Sequence, residues 1–400
     1  MLRKPVVCAG LSLILFSAIW SIGCGSDTTG TGGSGGGGTS GPGKQPPGPP
    51  EGAGPGDGTG VTFAVNQLFL GDTNASGSPD PEAWKDLGYD LDGDKSTKES
   101  TNLCKPAAGA SPGSVYPDGN DGIDNAFGKI LLPLITSIPP DASTSVNEAI
   151  ADGDFTIMMN LSNLGSGANY VDIKAGLYAG VTLVDDMGNP LTPTFTPADM
   201  WPVAPELLVD PNCMTQPCES KVSFPTSYVN ENTWVSGTPG TIDLSLGVAG
   251  FALTLKITNA VITMDMDSDH GGAKNGVIAG VIPVEPLVAE LKKIAGSFDM
   301  SLCSGSTFES IADQIRQASD MLQNGALDSS KTCDAISVGL GFTAKPVSLG
   351  AVADPAPPAP DPCETGGGGG AGGMGSGGGG GMGTGRSGGA GGGHRRAPLP

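Results

Sequence analysis

Ile242-Asp-Leu-Ser-Leu246, Phe251-Ala-Leu-Thr-Leu-Lys-Ile257, Ile262-Thr-Met-Asp-Met266 and Val277-Ile-Ala-Gly-Val-Ile282 follow one another closely in the chain. In the first three, apolar side chains alternate with polar or small ones, the two-residue period of a strand with one buried face. The fourth is apolar on both faces, as a strand covered on both sides would be. Gly247–Gly250, Asn259-Ala260 and Asp267–Lys274 separate them and carry turn-forming residues. The block reads as an antiparallel meander.

Working outward, the same period recurs. Val61–Leu70 is rich in β-branched and aromatic residues. Phe155, Ile157, Met159 and Leu161 alternate, and Tyr170–Val184 reads as two strands before a turn at Asp186–Asn189. Residues 186–240 hold many prolines and read as a long insertion with one strand near Lys221–Phe224. Residues 72–128 are irregular and rich in Asp and Gly. Ile130–Ile138, interrupted by Pro133, fits a buried helix or strand, and Thr144–Ile150 fits a brief helix. Downstream, Pro286 opens a helix that Gly296 closes, with Leu287, Leu291 and Ile294 on one face. Ser306 and Glu309 have capping-box spacing for a second helix, whose stripe is Phe308, Ile311, Ile315, Ala318 and Leu322 and which Asn324-Gly325 ends. Ile336, Val338, Leu340 and Phe342 then alternate with Ser337, Gly339 and Gly341. Consecutive strands with few helices predict a β-rich α+β fold: an antiparallel sandwich or barrel-like sheet with two or more C-terminal helices, flanked by disordered Gly-rich segments.

Those flanks set the domain limits. The 67 Gly and 34 Pro of the 400 residues are unevenly placed: residues 25–59 are almost all Gly, Ser, Thr and Pro, and residues 365–393 are mostly Gly. Such segments cannot bury enough apolar surface to offset ordering entropy. The expected organisation is a signal over 1–23, a tether over 24–59, a globular domain over 60–352 and a tail over 353–400. The formal net charge is −21, and residues 60–363 carry 14 Lys and Arg against 37 Asp and Glu. That surface repels nucleic acid and anionic headgroups, which excludes nucleic acid as a partner. Arg316 is the one arginine in that span, so bidentate clamping of phosphate has little material.

The N-terminus has the three parts of an export signal: basic Arg3 and Lys4, an apolar run Val6–Ile22, and a small residue, Gly23, before Cys24. Ser21-Ile22-Gly23-Cys24 resembles the lipobox of bacterial lipoproteins, with Ser21 where that family usually has an aliphatic residue. The resemblance covers the signal alone. It implies cleavage before Cys24, lipidation of Cys24, and a membrane partner reached through the N-terminal lipid. Gly25 in place of Asp after that cysteine implies the cell envelope and the outer membrane. The soluble region resembles uncharacterised Gly-rich lipoproteins in composition only.

With Cys8 lost with the signal and Cys24 lipidated, six cysteines remain: Cys104, Cys213, Cys218, Cys303, Cys333 and Cys363. An even set in an exported chain reads as three disulfides, with 15 possible pairings. Proximity in sequence favours Cys213–Cys218 and Cys303–Cys333, leaving Cys104–Cys363. Zinc is a poor fit, with no Cys-x-x-Cys and two histidines in the chain.

Three acidic clusters are candidate cation sites. Asp90, Asp92 and Asp94 alternate around Gly93, with Ser96 and Glu99 downstream, an arrangement that can converge oxygens on Ca²⁺. It resembles an EF-hand loop in part: the glycine is fourth rather than sixth, and Glu99 is tenth rather than twelfth. Asp118, Asn120, Asp121 and Asp124 form a second cluster in the same irregular segment, and the two can share one site. The third is Asp265, Asp267, Asp269 and His270. Against each stands the plain reading of a solvated turn.

Signs of catalysis are thin. His270 is the one histidine available to a Ser-His-Asp triad in the domain, and Ser34 and Ser387 meet Gly-x-Ser-x-Gly only inside glycine tracts. Gly38–Lys44 resembles a phosphate loop but lacks the following Ser or Thr. Trp84, Trp201 and Trp234 could stack on sugars, though burial at sheet edges is the commoner fate. Met158, Met159, Met264 and Met266 read as core. The expectation is a non-catalytic, Ca²⁺-stabilised binding or structural domain with a glycan or protein partner. The alternative is an exported hydrolase of glycans that uses paired carboxylates.

Overall fold

The computed structural model describes residues 43–355, apart from 75, 136–141 and 249–250, together with Cys363. The signal, Cys24 and most of the expected tail lie outside the described residues.

Among the described residues ten strands form in chain order: β1 (Thr59–Phe69), β2 (Thr156–Leu164), β3 (Tyr170–Gly180), β4 (Met200–Val203), β5 (Ser223–Asn230), β6 (Thr233–Val235), β7 (Gly240–Val248), β8 (Phe251–Met266), β9 (Ala273–Pro283) and β10 (Ala335–Val352). Eight of them close a barrel. β1, β2, β3, β5, β6, β8, β9 and β10 each pair antiparallel with the next, and β10 returns to β1 from Thr62↔Val347 to Phe69↔Gly341. Of the two sheet forms that the alternation allows, the structure is the barrel. Period-two patterning cannot separate them, because both need one buried face per strand. β7 forms a hairpin on β8, and β4 lies parallel on β10 outside the ring.

An eight-stranded barrel leaves an interior about wide enough for side chains to fill. Here Phe63, Val65, Met159, Leu161, Leu177, Trp234, Ile262, Met264, Ile278, Val338 and Leu340 belong to one buried cluster, and Trp234 meets Phe224 edge-on at 5.9 Å. Glycine makes the room: a Cβ on Gly276 would stand 2.5 Å from the Phe342 ring on the paired strand. Among the described residues, three helices of eleven residues or more join this core: α1 (Ala142–Asp152), α2 (Val284–Phe298) and α3 (Ser306–Gln317). Residues 127–135 are helical despite Pro133. Ser306 is the first residue of α3 rather than its cap. Gly305 occupies the cap position without a side-chain bond, and the helix stops at Gln317, before Leu322.

Three sequence expectations are corrected. The expected tether 24–59 extends too far, because residues 43–58 lie on the barrel. The Lys44 N–H donates to the Asp121 carbonyl at 2.8 Å, the Tyr228 hydroxyl to Pro47 O at 2.6 Å and the Val171 N–H to Gly54 O at 3.1 Å. Proline-rich chain needs few hydrogen bonds of its own, so composition hides this docking. The expected tail begins too early, since the Ala353 N–H donates to Val203 O and Cys363 is disulfide-bonded. Of the expected pairings only Cys213–Cys218 forms; the other two are Cys104–Cys333 and Cys303–Cys363. Cys104 and Cys333 meet because the Lys105 and Lys331 backbones run side by side, with the Lys105 N–H on Lys331 O at 2.7 Å. Proximity in sequence carries no information about such long-range contact.

The Cys104–Cys333 bridge spans a sequence separation of 229, against 5 for Cys213–Cys218. Loop-closure entropy assigns about 5 kcal/mol to the first and about 2 kcal/mol to the second. Urea titration of the two paired Cys→Ser variants should show the larger loss in C104S/C333S; equal losses would contradict it.

Candidate metal centre

Residues 83–128 cover the outer face of β9 and β10. The glycines that alternate along β10 permit this: a Cβ on Gly339 would stand 2.2 Å from Leu87 O, and one on Gly341 2.8 Å from Leu87 Cδ2. Asn125 fastens the segment. Its Nδ2 donates to Trp84 O, Leu87 O and Gly339 O at 3.2, 3.0 and 2.9 Å, and its Oδ1 accepts from the Gly128 and Gly339 N–H groups. Tyr89 adds a buried bond to the Thr263 hydroxyl at 2.7 Å.

This covering brings the first two acidic clusters together. One carboxylate oxygen each from Asp90, Asp92 and Asp124 lies within 4.8 Å of the others, with Asp90 and Asp124 buried. The loops are held by backbone donors. Asp90 accepts from Gly93 N–H at 2.7 Å, Asp92 from Asp94 N–H at 2.9 Å, Asp124 from Leu91 N–H at 2.7 Å and Asp118 from Ser96 N–H at 2.5 Å. Gly93 has φ +81°, the left-handed conformation that glycine adopts freely. Asp320 joins from beyond α3, fixed by Ser337 N–H at 2.8 Å and by the Ser337 hydroxyl on β10.

The electrostatics are one-sided. Burial, followed by repulsion from neighbouring aspartates, pushes Asp92 up to about 7 and Asp118 up to about 8, and holds Asp124 well above the usual carboxylate range. Burial pushes Asp320 up to about 6 against its bonds to Ser337; the residue keeps some solvent access while its carboxylate is enclosed. Lys129 is the cation that faces Asp320 and Asp118, and its Nζ donates to Pro117 O at 2.7 Å. Nearby, the buried Ser96 hydroxyl has no hydrogen-bond partner. A buried polar atom without a partner costs about 1–3 kcal/mol unless a ligand or water satisfies it.

The remaining candidates do other work. Asp94 accepts from Asn102 Nδ2 at 2.7 Å, Asn120 donates to Asp86 Oδ1 at 2.7 Å, and exposed Asp121 pairs with Lys95 at 3.9 Å. In the third cluster, Asp267 O and Asp269 Oδ1 accept turn amides of His270 and Gly271, and Asp265 accepts from Thr233 and Asn275. Trp84, Trp201 and Trp234 are buried, as are Met158, Met159, Met264 and Met266. A glycosidase pair stands about 5–10 Å apart across a substrate; these three carboxylates pack within 4.8 Å of one another. The sequence set Asp90, Asp92, Asp118 and Asp124 in one segment, and Asp90, Asp92 and Asp124 converge there. Sequence reasoning missed Asp320 and Lys129, which are isolated in sequence and share no motif with the loops.

No protein-family model, no curated protein and no solved structure matches this chain. The fold and the carboxylate cluster therefore define it: a closed antiparallel barrel with three converging aspartates on its outer wall, two of them buried, in an arrangement that could hold a metal ion.

The raised carboxyl groups give the metal-free chain a pH signature. A carboxyl that is protonated in the fold and ionised in the unfolded chain holds more protons folded, so stability falls as pH rises. With Asp92 at about 7 and Asp118 at about 8, their contribution to stability in EDTA is fully present below about pH 4 and is lost as pH rises through 7 and 8. Thermal melts in EDTA should give a lower Tm at pH 8 than at pH 5, and a Tm rising over that range would contradict the cluster's electrostatics.

Proposed function

We propose that this chain is a lipid-anchored envelope protein whose barrel is a non-catalytic binding or structural module stabilised by one Ca²⁺ at Asp90, Asp92 and Asp124. The observation that carries the metal reading is the convergence of three carboxylates, two of them buried, within 4.8 Å. Oxygens on opposite sides of a Ca²⁺ ion, each at about 2.4 Å, stand about 4.8 Å apart. An all-oxygen set suits a hard cation, and the two positive charges replace the protons that otherwise neutralise Asp92, Asp118 and Asp124. Ser96 Oγ supplies a further oxygen with no other partner. The anchor rests on Ser21-Ile22-Gly23-Cys24. A groove of about 400 Å³ beside Asp90, lined by Pro47, Tyr89, Tyr228, Val261 and Asn324, offers room that supports the reading of a glycan or protein partner.

Calcium at a hundred times its Kd should add about 2.7 kcal/mol of stability. Differential scanning calorimetry at pH 8 should show that gain for the native chain and its loss in D90N/D124N, while equal melts in EDTA and millimolar Ca²⁺ would remove the metal from the account. Cys24→Ala should move the protein from the membrane to the soluble fraction on detergent-free fractionation; unchanged partition would remove the anchor.

A further inference from the structure

The metal loops do more than face each other: they form the dock for residues 43–50. Three bonds tie this strap to Asp90. The Gly43 N–H donates to Asp90 Oδ2 at 2.6 Å, the Asp90 N–H to Lys44 O at 2.8 Å and Gln45 Nε2 to Asp90 O at 2.6 Å. A fourth, from the Lys44 N–H to Asp121 O, ties it to the loop that carries Asp124. The dock is tight, since a Cβ on Gly43 would stand 2.2 Å from Asp121 O and 2.8 Å from Asp90 Cβ. Farther along, the Tyr228 hydroxyl holds Pro47 O at 2.6 Å and Asn230 Nδ2 holds Gly48 O at 2.9 Å.

The strap has a second, separate attachment. The Val171 N–H donates to Gly54 O, and Gly56 presses on the Asn163 carbonyl, so residues 54–56 are held by β3 and its neighbour β2. Between the two attachments, Gly52 has φ +68° and no atom within 4 Å of a Cβ placed on it. Pro46, Pro47, Pro49 and Pro50 contribute no N–H, so the strap has few donors beyond those spent on the two loops.

We propose that the cation at Asp90, Asp92 and Asp124 is the latch of this strap: with the ion bound, the two loops stay together and residues 43–50 stay docked; without it, the link between the carboxylates of the two loops is lost, the loops loosen and the strap swings out on Gly52. The inference rests on the metal reading above. Release lengthens the chain between the N-terminus and the barrel and uncovers the side of the groove formed by Gln45, Pro46 and Pro47. Eight extended residues span up to about 28 Å. Coupling is reciprocal, so whatever weakens the strap's seat must weaken the ion by the same factor.

The test pairs two measurements on the full chain. Isothermal titration with Ca²⁺ reads the site, and limited trypsin digestion reads the strap through cleavage after Lys44. Cleavage there should rise at least tenfold in EDTA over millimolar Ca²⁺, while cleavage after Lys174 and Lys256, on barrel strands, stays unchanged. Gly43→Ala, which blocks the seat, and Tyr228→Phe, which removes a bond remote from the carboxylates, should each weaken Ca²⁺ several-fold. If Ca²⁺ binds yet Lys44 cleavage and the two variants' affinities match the calcium-bound native chain, the latch is overturned and the metal reading stands. If the native chain binds no Ca²⁺, both fall.

Discussion

Closure of the barrel between β1 and β10 is the constraint from which the rest follows. Once β10 is paired on one side with β1 and on the other with β9, its inward residues Ile336, Val338, Leu340 and Phe342 are committed to the core. Its outward residues Ser337, Gly339 and Gly341 are then committed to the face beneath residues 83–128. Two small positions let the covering backbone approach directly, and Ser337 supplies bonds to Asp320 and Ala126. A segment with little regular structure is thereby held in place through Asn125 and the β10 backbone rather than through a ladder of its own.

That fixation produces a second constraint. Carboxylates from residues 90, 92, 118, 124 and 320 are held close by backbone donors, with Lys129 as their nearby counter-charge. A cluster of this kind must hold protons or a cation, because several buried like charges cannot all remain ionised. The donors that position the side chains come largely from the loops themselves, and they leave raised carboxyl groups and an unpartnered Ser96 hydroxyl in the cluster.

Much of this was legible in the sequence. The alternation at Ile242–Ile282 and Ile336–Phe342 marks strands and their buried faces, because period two is a direct consequence of strand geometry. The Asp-Gly composition of residues 90–94 and 118–124 marks the acidic loops from which Asp90, Asp92 and Asp124 converge, because tight turns and carboxylate clusters need those residues. Three things stayed hidden. Sandwich and barrel share one pattern, and only the β1–β10 pairing across most of the domain separates them. Cys104 meets Cys333, and the charge of Asp320 acts on Asp118, across separations that local spacing does not encode. Residues 43–50 look like spacer because proline and glycine dominate them, yet their carbonyls and few amides match donors and acceptors on Tyr228, Asn230 and Asp90.

The central claim is that a single cation replaces protons among these carboxylates. It is tested most directly by a crystal structure grown in millimolar Ca²⁺, with anomalous scattering used to locate the ion. The account predicts one ion bonded to Asp90, Asp92 and Asp124 at about 2.3–2.6 Å. A site left empty under those conditions, or an ion seated elsewhere, would contradict it.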